Sequence, residues 1–279
     1  MLHEDNVIIA AAEFVRLAPT GNITTVSDVL FSMEPNGLTK ELRQESIRYI
    51  ATDRIKNIIL YAAANAEAQD RLSFYLTISK EPGFRKFAGT MFKDLALSWF
   101  YGNCYIPCVT AQLDCTSSLQ IPYCGENNTV FFASKKTLRK DLRMKSLPLL
   151  LFPTSPEFTT IDAVVLTEEC IITIQVAISD SHPVNRGDFA IIEDYLPNAT
   201  RRSKRWCHVF ITDDENSATS LRSQTFKGLP SEVQIYSMVF DVGTPGIDRE
   251  LVEDFNNKKN KVSVLAAQAR DWCFMITNN

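Results

Sequence analysis

The chain has 279 residues with a formal net charge of -4, a hydrophobic fraction of 45% and a charged fraction of 22%. That is the balance of a globular protein with room for one large or two ordinary cores. No run of about twenty apolar residues suggests a membrane span, and a small negative charge excludes global attraction to nucleic acid, so any such contact has to come from a local patch.

In chain order, Asn6 to Leu17 carries Val7, Ile8, Ala11, Phe14 and Val15 at helical spacing behind Asp5 and Asn6, and no basic leader precedes it. Thr25 to Met33 reads as a second short helix. Thr39 to Ala68 reads as helix throughout, with Leu42, Ile47, Ile50, Ile55, Ile58 and Ile59 returning on one face. The first subdomain is therefore helical and spans 1–82, with Pro82-Gly83 as its boundary.

Phe84 to Tyr101 has a wide apolar stripe and predicts a helix packed against a sheet. Tyr105 to Gln112, Leu119 to Tyr123 and Thr129 to Ala133 read as short strands. Ser134 to Lys145 reads as a basic linker, in which Lys135, Lys136, Arg139, Lys140, Arg143 and Lys145 are offset only by Asp141. The apolar run Leu147 to Phe152 follows.

Ile161 to Leu166 and Cys170 to Ile178 are β-branched runs around the polar turn Thr167-Glu168-Glu169, which predicts a buried hairpin. Asn185 to Leu196 predicts a short helix, Trp206 to Thr212 a strand, Asp213 to Asn216 a loop, Leu221 to Phe226 a turn of helix and Val233 to Val242 a strand. A core over 83–245 and a helical extension over 246–279, clearest from Asp248 to Phe255, complete an α/β organisation.

Asp162 and Gln175 interrupt the two strands of the hairpin, and a buried polar group needs a partner or a role. An acid and a second oxygen ligand on adjacent strands can hold Mg²⁺, which activates water. Against this, Asp162 can simply bond to backbone amides at the hairpin end, and Gln175 can be a satisfied core amide. Arg201, Arg202, Lys204 and Arg205 form a basic turn that could meet phosphates. The seven cysteines lack zinc-like spacing, since the only close pair is Cys104 and Cys108, and they read as buried or free thiols. No phosphate-cradling loop, nucleophile elbow or zinc-protease motif occurs.

The segment FPTSPEFTTIDAVVLTEECIITIQVAISDSHPV is similar to the PD-(D/E)xK restriction-endonuclease-like domains at the carboxyl ends of Crinkler and retrotransposon-hot-spot type proteins. The features that carry the resemblance are Pro153 and Pro156, Ile161-Asp162-Ala163, Gln175 to Ser179, and His182-Pro183. AGTMFKDLA at Ala88 to Ala96 resembles the family's upstream helix, and WCHVFIT, SQTFKG and EVQIYSMVFDV resemble its later strand, turn and final strand. The resemblance spans Phe84 to Val242. It implies a mixed sheet flanked by helices and a Mg²⁺ site on Asp162 and Gln175, with Asp94 and His182 as further catalytic candidates and Arg201, Arg202, Lys204 and Arg205 on nucleic acid.

The pattern is incomplete. Lys93 stands at the position of the family's helix acid, with Asp94 one residue off, and Ala177 stands where the lysine is expected. Two functions follow. One is a Crinkler-like effector with divergent metal-dependent nuclease chemistry, intracellular, or secreted and acting in a host nucleus or cytoplasm. The other is a catalytically inactive nuclease-fold module that binds a host protein, such as an immune receptor.

Overall fold

A computed structural model describes residues 4–20, 30–35, 46–50, 52–102, 109–111, 118–155, 157–178, 184–198, 204–223 and 233–277. It is a mixed α/β protein of two compact units, one formed by Met1–Leu95 with Asp241–Glu253, the other by Ala96–Phe240 with Asp254–Asn279.

In the first unit, helix α1 (Glu4–Leu17) is followed by strands β1 (Phe31–Pro35) and β2 (Ser46–Ile50), which pair antiparallel, and by helices α2 (Asp53–Asn65) and α3 (Ala68–Ile78). Helix α4 (Arg85–Gly102) begins in this unit. The strands correct the expected helix over Thr25–Met33 at residues 31–33 and that over Thr39–Ala68 at residues 46–50, while α2 bears out the latter over Asp53–Asn65. Ile47 and Ile50 suit a helical face, but pairing with β1 takes residues 46–50 into a ladder, and the helix starts only after Thr52. The Thr52 hydroxyl caps it, accepting from the Ile55 amide at 3.2 Å. Phe14 packs edge-on to both Phe74 and Phe84 in the core of this unit.

Arg71 is buried there and spends its guanidinium on backbone carbonyls. It donates to Ala64, Ala66, Val242, Thr244 and Ile247, so one side chain closes the end of α2 onto the 241–247 segment. Burial pushes its pKa down, against the opposing pull of Asp241.

The second unit is built on an eight-stranded sheet of strands β3 (Val109–Ala111), β4 (Ser118–Leu119), β5 (Thr129–Phe132), β6 (Leu149–Pro153), β7 (Ala163–Leu166), β8 (Cys170–Val176), β9 (Arg205–Thr212) and β10 (Gln234–Val239), in the order β4-β3-β10-β9-β8-β7-β6-β5. Strands β5, β6, β8, β9 and β10 run one way, while β7 runs against both its neighbours. The expected hairpin is therefore present as β7–β8, inside a sheet that is parallel around it. Its two strands are buried on both faces, which is why they read as continuous apolar runs.

Helices α5 (Lys135–Met144), α6 (Arg186–Tyr195) and α7 (Glu215–Ser223) cover one face. Leu138, Phe189 and Ile192 pack on Val164, Leu166 and Ile171, and Leu221 packs on Phe210 and Ile235. On the other face Tyr101 of α4, Phe131, Phe152 and Phe255 of helix α8 (Arg249–Thr277) form a ring cluster. Each of these side chains that is fully buried contributes about 2 kcal/mol.

Two further readings are corrected. Ser134 to Lys145 is not a linker, because Ser134 and Thr137 form a capping box and Leu138 anchors the helix that follows. Asp213 to Asn216 is not simply loop. Asp214 caps α7, its Oδ1 accepting the Asn216 and Ser217 amides.

Candidate functional site

The carboxyl ends of β5, β6, β8, β9 and β10 and the start of β7 share one edge of the sheet. In open α/β sheets this edge is where ligands bind, and here it carries Asp162. The paired register ends with Ala163 opposite Ile174, and the Asp162 amide also bonds to Ile174, so Asp162 lies just outside the ladder. The two residues singled out in the sequence meet at the same end of the β7–β8 hairpin.

Their polar atoms, however, serve the fold. The Asp162 amide donates to the Ile174 carbonyl at 2.8 Å, and Asp162 Oδ2 accepts the Val176 amide, also at 2.8 Å. The carboxylate thus takes the place of a ladder carbonyl just where regular pairing of β7 stops. Gln175 is buried, and its Oε1 lies 3.3 Å from His208 Nε2 on β9. On the same ring, Nδ1 lies 2.8 Å from the Thr173 hydroxyl, which is also 3.2 Å from the Cys207 carbonyl.

If the hydroxyl gives its proton to the nearer partner, the imidazole is the Nε2–H tautomer and donates to Gln175. Phe189 and Phe210 flank the ring at centroid distances of 5.5 and 4.6 Å. Thr173, His208 and Gln175 form a polar chain within an apolar core. Such a chain fixes rotamers and strand register and leaves neither ring nitrogen facing an incoming substrate.

A second carboxylate at this edge escaped the sequence reading. Asp188, in the first turn of α6, is fully buried, and its Oδ2 accepts the amides of Thr159 and Thr160 at 2.8 and 2.6 Å and the Thr160 hydroxyl at 2.9 Å. Asn185 caps the same helix through the Gly187 amide and donates to Asp188 Oδ1 at 3.1 Å. These bonds tie the lead-in to β7 against the start of α6, so Asp162 is held from both sides. The sequence signal was Asn185 with an acid three residues later at a helix start.

Asp94, Lys204 and Arg205 are the other expected site residues among those described. Asp94 is half-buried on α4 within the first unit. His182, Ser179, Arg201 and Arg202 lie outside the described residues. Lys204 and Arg205 sit at the far end of the hairpin from Asp162. Lys204 Nζ donates to the carbonyls of Thr167 and Glu168, and the Arg205 guanidinium lies 3.5 Å from Cys170 Sγ. These cations brace the 167–169 turn, whose own Thr167 hydroxyl accepts the Cys170 amide at 2.8 Å. Cys124, Cys170 and Cys207 are free thiols, and burial pushes the Cys207 thiol up to about 12.

The donor set does not fit a nuclease's Mg²⁺. Asp162 supplies one carboxylate with an oxygen already bonded to an amide, Gln175 supplies a neutral oxygen engaged with His208, and Ala177 is buried where a lysine is needed. Among the described residues there is no group of three or more His, Cys, Asp or Glu placed to share an ion. No helix among the described residues is long and apolar enough to cross a membrane.

No family model, no curated protein and no solved structure matches this chain.

Proposed function

We propose that this chain is a restriction-endonuclease-like module that acts by binding and not by cleavage. The order of elements supports the nuclease-like descent. A long helix precedes an antiparallel β6–β7–β8 meander, and the α6 crossover leads to the parallel strand β9. The observation that carries the loss of chemistry is the Asp162 Oδ2 bond to the Val176 amide, beside a Gln175 turned into the Thr173–His208 chain.

A carboxylate committed to holding a strand end has little left for water activation, and the missing lysine removes the cation that would stabilise the transition state. An effector of the Crinkler type working through a host partner fits this reading.

The test is cleavage of labelled duplex DNA, single-stranded DNA and RNA with Mg²⁺, Mn²⁺ or EDTA, comparing the wild type with Asp162→Ala. The reading expects no metal-dependent cleavage by either protein. Cleavage by the wild type that disappears in a folded Asp162→Ala protein would overturn it.

A further inference from the structure

We infer that the outer face of α5 is a binding site for the phosphate backbone of nucleic acid. The inference rests on the non-cleaving reading above, and it names the partner class. All six basic residues of the 135–145 segment can be accounted for. Lys135 pairs with Asp194 at 2.5 Å, Arg139 donates to the carbonyls of Tyr195 and Asp194, and Lys145 donates to the Asn127 carbonyl. Those three cations pin the helix in place.

The remaining three, Lys136, Lys140 and Arg143, are exposed. They fall at i, i+4 and i+7, which is one stripe within about 60° of the helix circumference and about 10 Å long. No described acid pairs with any of them. The one acid of the helix, Asp141, is about 100° around from Lys140.

A line of unpaired cations on a pinned helix matches a linear polyanion, and here it belongs to a protein of net charge -4, so the attraction is local and oriented. A bilayer is the poorer match. Leu138 and Leu142, the apolar residues that could enter a membrane, are turned into the protein's own core. The basic turn at 204–205, by contrast, has its described cations engaged with the hairpin.

The experiment is fluorescence anisotropy of a labelled duplex DNA and a labelled single-stranded RNA of about twenty nucleotides, titrated with the full chain from about 50 to 300 mM salt. The triple variant Lys136→Gln, Lys140→Gln and Arg143→Gln is compared with Lys80→Gln, an exposed control. Three phosphate contacts give a log–log salt slope of about -2 to -3. The triple variant is expected to lose most of that slope and at least about tenfold in affinity at the lowest salt, with the control unchanged.

No binding by the wild type at low salt, or an unchanged slope in a folded triple variant, overturns the inference. So does stripe-dependent binding of polyglutamate or phosphatidylserine vesicles that equals or exceeds that of nucleic acid. Adding Mg²⁺ separates the two claims. Cleavage of the bound strand would sink the non-cleaving reading and leave the stripe standing, whereas stripe-independent binding without cleavage would do the reverse.

Discussion

Asp162 and Val176 close the end of the β7–β8 hairpin through a side-chain bond, Oδ2 accepting the Val176 amide at 2.8 Å. The acid most readily taken for a metal ligand is thereby a substitute for backbone. Asp162→Ala leaves that amide without its acceptor and is expected to cost about 1–3 kcal/mol. Asp162→Asn, which keeps an oxygen, should cost less. Urea unfolding of the two variants checks the order. Equal stability of wild type and Asp162→Ala would mean that the bond holds nothing.

The Thr173–His208–Gln175 chain should behave as one unit. Gln175→Leu removes the acceptor of His208 Nε2, and Thr173→Val removes the partner of Nδ1. Each is expected to destabilise by about 1–3 kcal/mol. Residues sharing one network couple, so the double variant should depart from additivity by at least about 0.5 kcal/mol in a denaturation cycle. Strict additivity would contradict the chain.

Asp188→Ala is expected to be more damaging than Asp162→Ala, because it strands the amides of Thr159 and of buried Thr160 together. The loss should reach about 3 kcal/mol or more. Hydrogen exchange at those two amides is the specific readout. Protection there should collapse before that of β8, and unchanged protection would show that Asp188 does not hold the lead-in.

At high pH the second unit should weaken through Tyr101. Burial, helped by the Asp254 carboxylate that accepts its hydroxyl at 2.6 Å, raises the Tyr101 pKa to about 12. A pKa raised on folding gives stability that is fully present below the unfolded value of about 10 and is lost as pH climbs through the folded value. The thermal midpoint should fall between about pH 10 and 12, and Tyr101→Phe should flatten that part of the fall. The Asp254 carboxyl responds at the other end of the scale. Burial raises its pKa, but the bonds from Lys258 and Tyr101 outweigh this and hold it below the usual value. Its contribution is present above about pH 4 and fades as pH drops through the lowered value.

The hairpin, α4 and β9 were legible because their signal is local: β-branched runs, an apolar stripe, turn residues. Helix α5 was not legible as a helix. Five cations in the helix and Lys145 just after it hide a two-residue anchor, Leu138 and Leu142, and the capping box at Ser134 is the cue that would have found it. β2 was misread because Ile47 and Ile50 satisfy a helical period, and only its pairing with residues 31–35 decides the matter.

The candidate site was half legible. Asp162 and Gln175 were found, and the bland reading of each, a bond to a backbone amide and a core amide with a partner, describes what they do. Asp188 and Arg71 were missed because their backbone partners lie at sequence separations of 28 or more for Asp188 and up to 176 for Arg71, and only the Asn185–Asp188 spacing at the start of α6 hints at the first. No side-chain pattern records such a bond.

The central claim is that Asp162 is a strand-end acceptor and not a metal ligand. Titration of isotope-labelled protein with Mn²⁺, followed by paramagnetic broadening of the backbone amides, tests it most directly. The account predicts that the amides of Asp162, Gln175 and Val176 broaden no more than those of the buried sheet, and that the Val176 proton stays protected from exchange. Saturable broadening centred on these three, reversed by EDTA and abolished in a folded Asp162→Asn protein, would contradict it.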